Sequence, residues 1–275
     1  MLTGILLTLA LLVASGAAQE AGKDRLKAAF RDPSRPGTVK LNLTQGGITV
    51  KGYNGREVLV EATGRRAGDD GQDAPGKGES AGLKRIFMAA TGLSVEEENN
   101  VMRIEVQSHR RGVDVALQVP LETSLKLQSV NGGAIVVENV HGEIEVSNIN
   151  GAITLNNVAG SVIAHALNGA LTVSMREVDA SKPMSFSSLN GKIDVTLPAS
   201  LKANLNLQSG RGEVFSDFDV VLAANPPRME ETKPKEGKGR YRVSTGQGVV
   251  GKVNGGGQDI AIKNMNGDIF IRKGK

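Results

Sequence analysis

Gly142, Gly151, Gly160 and Gly169 fall nine residues apart in "VENVHGEIEVSNINGAITLNNVAGSVIAHALNG", residues 137–169. Read forward from each glycine, apolar residues recur at the second, fourth and seventh positions. Gly142 gives Ile144, Val146 and Ile149; Gly151 gives Ile153, Leu155 and Val158; Gly160 gives Val162, Ala164 and Leu167. Gly169 and Gly191 begin the same pattern with Leu171 and Val173, and with Ile193 and Val195. The first step of two is the period of a half-buried strand. The step of three breaks that period, so a bend is expected there if all three side chains are to face inward.

Asparagine precedes every second glycine, at Asn131, Asn150, Asn168 and, after a longer interval, Asn190. The full unit is therefore 18–19 residues long and made of two similar halves. Asn-Gly between apolar runs suits a tight hairpin, which would build an antiparallel meander or sandwich. It equally suits one corner of a β-solenoid whose coils stack through parallel strands. A meander needs neither a bend in every unit nor alternating corners, whereas a solenoid needs both. The expected fold is an all-β solenoid with about 18–19 residues per coil.

In that fold Asn131, Asn150, Asn168 and Asn190 are expected to stack as an amide ladder at one corner, because each amide both donates and accepts. Burial is expected to make the ladder cooperative. The following glycines are expected to supply positive φ, and Gly132, Gly142, Gly151, Gly160, Gly169, Gly191 and Gly267 form the structural set.

Similar short strands fill most of residues 37–275, from "GTVKLNLTQGGITVKGYNGREVLVEATG" to "VNGGGQDIAIKNMNGDIFIRK". Polar, Gly/Pro-rich loops are expected at 64–80 and 225–240. Residues 19–36 form an N-terminal segment in which "DRLKAAFRD" (24–32) has the composition of a short helix. Residues 1–18 have the apolar core and small-residue end of a signal peptide, too short to span a bilayer. A mature start near Gln19 and export beyond the cytoplasm follow, although the usual basic residues before the core are missing. Cysteine is absent, so an exported chain of this length is held by its core alone.

Composition narrows function further. The net charge is +4, there is no Trp, and Tyr53 and Tyr241 are the sole tyrosines. Stacking platforms for single-stranded nucleic acid are missing, as are aromatic faces to grip sugar rings; weak attraction to anionic envelope polymers is compatible with the charge. "GESAG" (78–82) matches a nucleophile elbow but follows a loop, not a strand. "GQGVVGKV" (246–253) approximates a phosphate loop, yet Val253 stands where Ser or Thr would hold Mg²⁺. Glu143 and Glu145 share an outward strand face, which reads first as a solvated surface and only then as acid–base chemistry. His109, His141 and His165 lack metal-ligand spacing, and the repeat lacks the recurrent Asp of calcium-binding solenoids. No catalytic, metal or cofactor-binding residue is assigned.

The cadence "QVP…SVNGG…NVHG…NINGAITL" between Val113 and Ile163 resembles a bacterial family of β-strand-repeat proteins known as "putative adhesins", and the closing "VNGGGQDIAIKNMNGDIFIRK" resembles its C-terminal end. The resemblance implies a right-handed β-helix-like solenoid, exported, with no established catalytic residues to carry over. Three functions are compatible: a non-enzymatic adhesin-like or structural protein of the envelope, a polysaccharide-acting enzyme, and an envelope-stress sensor. The expected partner is an envelope or extracellular protein or polysaccharide rather than nucleic acid. The enzyme would require Glu143, Glu145, Asp194 and Arg211 to line one deep groove.

Overall fold

A computed structural model describes residues 23–65, 91–107, 112–222 and 248–274. Residues 1–18, His109, "GESAG", the first two residues of "GQGVVGKV", the loop at 225–240 and all of the loop at 64–80 beyond Arg65 lie outside the described residues. The N-terminal part forms β1 (Lys23–Ala29), β2 (Gly37–Gln45), β3 (Ile48–Tyr53), β4 (Glu57–Gly64), β5 (Leu93–Glu98), β6 (Val101–Val106) and β7 (Val113–Pro120). The central part forms β8 (Thr123–Asn131), β9 (Ile135–Glu138), β10 (His141–Asn150), β11 (Ile153–Asn168), β12 (Leu171–Val178), β13 (Met184–Asn190) and β14 (Ile193–Leu197). Then come β15 (Ala203–Ser209), β16 (Val214–Ser216), β17 (Val220–Leu222), β18 (Gly248–Val253), β19 (Gln258–Asn266) and β20 (Ile269–Lys273).

These strands make one sheet folded into two faces. Along the first face the parallel order is β6-β2-β8-β10-β11-β13-β19-β15, with β11 contributing its second half. Along the second it is β7-β3-β9-β11-β12-β14-β20-β16, with β11 contributing its first half. Parallel neighbours one coil apart make this a β-solenoid rather than a meander. Antiparallel pairing is confined to the ends, where β5 covers β6, β4 and β1 cover β7, and β18 and β17 cover β15.

The stacking order departs from the chain order at both ends. The β2–β3 coil lies between β6–β7 and β8–β9, although the chain makes it first. The β19–β20 coil, made last, lies between β13–β14 and β15–β16. Only the coils from β8 to β14 stack in the order in which they are made.

Alternation puts Ile144 and Val146, Ile153 and Leu155, Val162 and Ala164, Leu171 and Val173, and Ile193 and Val195 in the core between the faces. Each buried aliphatic side chain contributes about 1.5–3 kcal/mol of hydrophobic stabilisation. Large and small side chains complement one another across rungs: Phe186, fully buried, sits in register with Ala164. Residues 24–29, read from sequence as helical, instead belong to β1, paired antiparallel with β4 from Lys23–Thr63 to Ala29–Glu57. Pairing with the apolar strand Val58-Leu59-Val60 outweighs a helix propensity that amounts to tenths of a kcal/mol per residue. Phe30 then turns inward and is buried, its ring against Gly37.

Candidate functional site

The corner between the two faces carries the asparagines. Asn150 Nδ2 donates to Asn131 Oδ1 at 2.6 Å, Asn168 to Asn150 at 2.9 Å, and Asn190 to Asn168 at 2.7 Å. Asn266 adds a rung that was not anticipated, donating to Asn190 Oδ1 at 2.9 Å. The sequence held its signal: "NMNG" (264–267) repeats the "NING" of 148–151. The ladder amides are exposed, however, so burial does not reinforce them. The buried amides of this corner are those two residues earlier. Asn148, 1% exposed, donates to Gly133 O at 2.9 Å, and Asn264 donates to Gly191 O at 2.8 Å. Ser129 and Ser188 occupy the same interior row, donating to the carbonyls of Gly46 and Gly169.

The corner glycines serve close approach more than positive φ. A Cβ on Gly151 would lie 2.1 Å from Gly133 O, one on Gly169 2.2 Å from Gly151 O, and one on Gly267 2.4 Å from Gly191 O. Gly191 stacks likewise on Gly169, and its φ of 158° is extended backbone. Left-handed φ belongs to Gly132 at 83° and Gly160 at 108°. Gly132 is the extra residue that makes its unit nineteen long, because Gly133 is the one seated under Gly151. At the opposite corner Gly142 would meet Thr123 O and Gly160 would meet Gly142 O.

The third apolar position of the repeat divides by face. Val158 is buried, because Asn157 before it takes a left-handed φ of 52° and turns the chain inward. Its amide donates to Asn139, itself at φ 56°, forming a second pair of stacked amides. On the first face no such kink intervenes, so an odd step reverses the side chain and Ile149 and Leu167 point outward. With Leu189 and Met265 in register they form an apolar column across β10, β11, β13 and β19. Leu167, Leu189 and Met265 are 42%, 38% and 52% exposed.

This column lies in a shallow open groove of about 570 Å³ that crosses β10, β11, β13, β19 and β15. Ser147, His165, Ser187, Lys263 and Gln208 form a polar column on one side of it, and the asparagine ladder borders the other. His165 Nδ1 lies 2.6 Å from Ser187 Oγ. The lining contains no carboxylate. Sequence reading missed Leu189, Met265, Lys263 and Gln208 because it assigned this apolar position to the core.

The acidic candidates are not brought together. Glu143 and Glu145 border a smaller hollow of about 230 Å³ on the first face, each exposed and each paired with a lysine: Lys182 on Glu143, and Lys126 on Glu145 at 2.8 Å. The hydrogen bond that the Lys182 ammonium donates to Glu143 holds it above its ordinary pKa. Asp194 lies on the second face, where Arg272 Nε donates to it at 2.8 Å. Arg211 sits at the corner after β15 and shares no groove with them. Glu143, Glu145, Asp194 and Arg211 therefore do not line one deep groove.

His141 lies between Glu122 and Arg176, with Nδ1 3.1 Å from the Glu122 carboxylate and Nε2 2.5 Å from the guanidinium. Gly248–Val253 of "GQGVVGKV" is strand β18, paired with β15 and β17. Among the described residues no group of three or more His, Asp or Glu is placed to hold a metal ion, and no helix is long and apolar enough to cross a membrane.

Stacked parallel coils and glycine columns define a β-solenoid with an open groove along the outer side of its first face. Residues 93–272 match the family described as Toastrack DUF4097, and the chain belongs to that family. Two solved structures follow a loosely similar path. One, described as "a putative cell adhesion protein" from Clostridium sporogenes, has 11% identity, a TM-score of 0.42, and coverage of 92% of this chain and 100% of that one. The other, described as "a putative adhesin" from Bacteroides fragilis, has 9% identity, a TM-score of 0.35, and coverage of 92% and 98%. No curated protein matches the chain.

Proposed function

We propose that this protein is an exported, non-enzymatic solenoid that binds a component of the cell envelope or its surroundings through the outer side of its first face. The observation that carries this reading is the apolar column of half-buried Ile149 and exposed Leu167, Leu189 and Met265 within an open groove. Strand alternation normally gives such outward positions to polar residues, as it does at Glu143, Glu145 and Ser147 on the same strand. A contiguous apolar line on a solvated sheet face marks a contact surface. The signal-like segment before Gln19 supports export.

Retention on washed envelopes tests the reading. The wild-type chain should sediment with envelope fragments, and Leu167→Ser/Leu189→Ser should reduce that fraction severalfold while melting as wild type does. Failure of the wild type to sediment, or equal retention of the double variant, would overturn the proposal. N-terminal sequencing from a native host should find Gln19 or a near neighbour first; a chain retaining Met1 would overturn export.

A further inference from the structure

The geometry points to an extended acidic polysaccharide as the occupant of this groove, lying along the stacking direction; this deepens the envelope-binding reading and rests on it. Charge is the first argument. The lining has no carboxylate, whereas Lys263 projects from its polar column with no carboxylate partner among the described residues. Arg211 stands at the last corner, in the register position opposite Asn266. Of the other acids on the first face, Glu143 and Glu145 lie toward the other end of the strands and are engaged by Lys182 and Lys126, while Asp259, four residues before Lys263 on β19, accepts from the Asn204 amide. The groove is thus lined by a lysine and no carboxylate, with Arg211 at its end, and it attracts a polyanion.

The backbone excludes an extended peptide. Peptides that bind as strands take their affinity from main-chain hydrogen bonds at a sheet edge. Here the floor is the middle of a parallel sheet, and its N–H and C=O groups are spent on neighbouring rungs. An occupant must be read by side chains alone, which suits a chain of hydroxyls and carboxylates.

Periodicity supplies the third argument. Rungs repeat every 4.7–4.9 Å or so, a spacing close to that of one sugar in an extended chain. Each rung offers an apolar side chain, from Ile149 to Met265, beside a polar one, from Ser147 to Lys263. Each ladder amide from Asn150 to Asn266 spends one N–H on its neighbour and keeps a second for a ligand. Aliphatic side chains take the place of aromatic platforms against the C–H faces of the sugars. Single contacts are weak, and affinity accumulates along the length of the polymer.

Polygalacturonate is the probe, offered to the purified full chain at low salt beside dextran, polyglutamate and phosphatidylglycerol vesicles. Binding to polygalacturonate should fall about tenfold in Lys263→Glu, and should fall in Leu167→Ser as well. Lys51→Glu, an equal charge change on the second face, should leave it unchanged; melting curves establish that all three variants fold. Dextran should not bind. No binding of polygalacturonate, equal binding by Lys263→Glu, or tighter binding of polyglutamate or the vesicles would each overturn the inference. If washed envelopes still retain the wild type and lose the Leu167→Ser/Leu189→Ser variant, the broader reading survives that failure. If envelopes retain neither, both fall.

Discussion

Between β8 and β14 the solenoid is laid down in chain order, whereas at both ends a coil is inserted between two others. The two regions are held differently. The middle uses like on like: asparagine on asparagine, glycine over glycine, aliphatic over aliphatic. The inserted β19–β20 coil continues these columns through Asn266 and Gly267, and the ends add unlike pairs. Asp114 on β7 accepts from Arg65 at 2.7 and 3.0 Å and from Gly47 N at 2.8 Å, joining three separate segments. At the other end Asp268 accepts from Glu213 N and Asn254 donates to Leu201 O. A repeat carries its own stacking instructions; the ends add contacts that only one neighbour can supply.

The sharpest way to break this contrast is a methyl group in the glycine column. Gly169→Ala would place its Cβ 2.2 Å from Gly151 O and 2.9 Å from Ala152 N, against backbone with nothing flexible to yield. A loss of more than about 4 kcal/mol is expected. Gly64→Ala, at an end of the solenoid where the nearest described atom is Thr91 Cγ2 at 3.9 Å, should cost almost nothing. Denaturant melts of the two variants compare them, and similar losses would remove the distinction.

Next come the two kinds of corner asparagine. Asn148→Ala leaves the buried carbonyl of Gly133 without its donor and should cost about 1–3 kcal/mol. Asn150→Ala removes a rung at the exposed rim, where water substitutes, and should cost roughly 0.5–1.5 kcal/mol. Asn157→Ala should also destabilise, since φ is 52° there and its amide is paired, while Asn157→Gly should recover the backbone part. If Asn150→Ala proves the costlier of the corner pair, the ladder rather than the interior row governs the corner.

The smallest effect concerns acid. Burial pushes the Asp114 carboxyl up, but the Arg65 guanidinium and the Gly47 N–H together outweigh it, and the net pKa lies below the ordinary value of 3.8. A depressed carboxylate stabilises the fold above its unfolded pKa and loses that contribution as pH falls through the folded value. Below about pH 4, amide exchange in β7 should accelerate relative to β12. Asp114→Asn should remove the difference at every pH. Equal acceleration in both strands would show that Asp114 does not hold the inserted coil.

The legible part of this molecule was its repeating part. Asn131, Asn150 and Asn168 disclosed the corner because the same geometry recurs every coil, and the alternation at Ile144 and Val146 disclosed the core. Stacking order was not legible. Any apolar strand pair can follow any other in register, so nothing local to "KLNLTQGGITV" says that β6–β7, made later, will lie outside it. The helix expected at 24–32 failed for the same reason: its partner, β4, lies some thirty residues away. The groove stayed hidden because Val158 and Leu167 look alike in sequence, and only the left-handed turn at Asn157 sends one inward and leaves the other in solvent. A kink held by a single dihedral has no hydrophobic period.

The inserted coils also dictate how the molecule can be assembled. The β2–β3 pair emerges first, yet both of its flanks are built from residues made later. It must wait unpaired until the chain has doubled back, and such distant closures are slow. The coils from β8 to β14 can instead grow one upon another as they appear. At the far end β19 and β20 arrive last and enter a slot already flanked on both sides. Assembly therefore starts in the middle and is completed at the ends, and the final strand pair closes the structure as a bolt does rather than as one more brick.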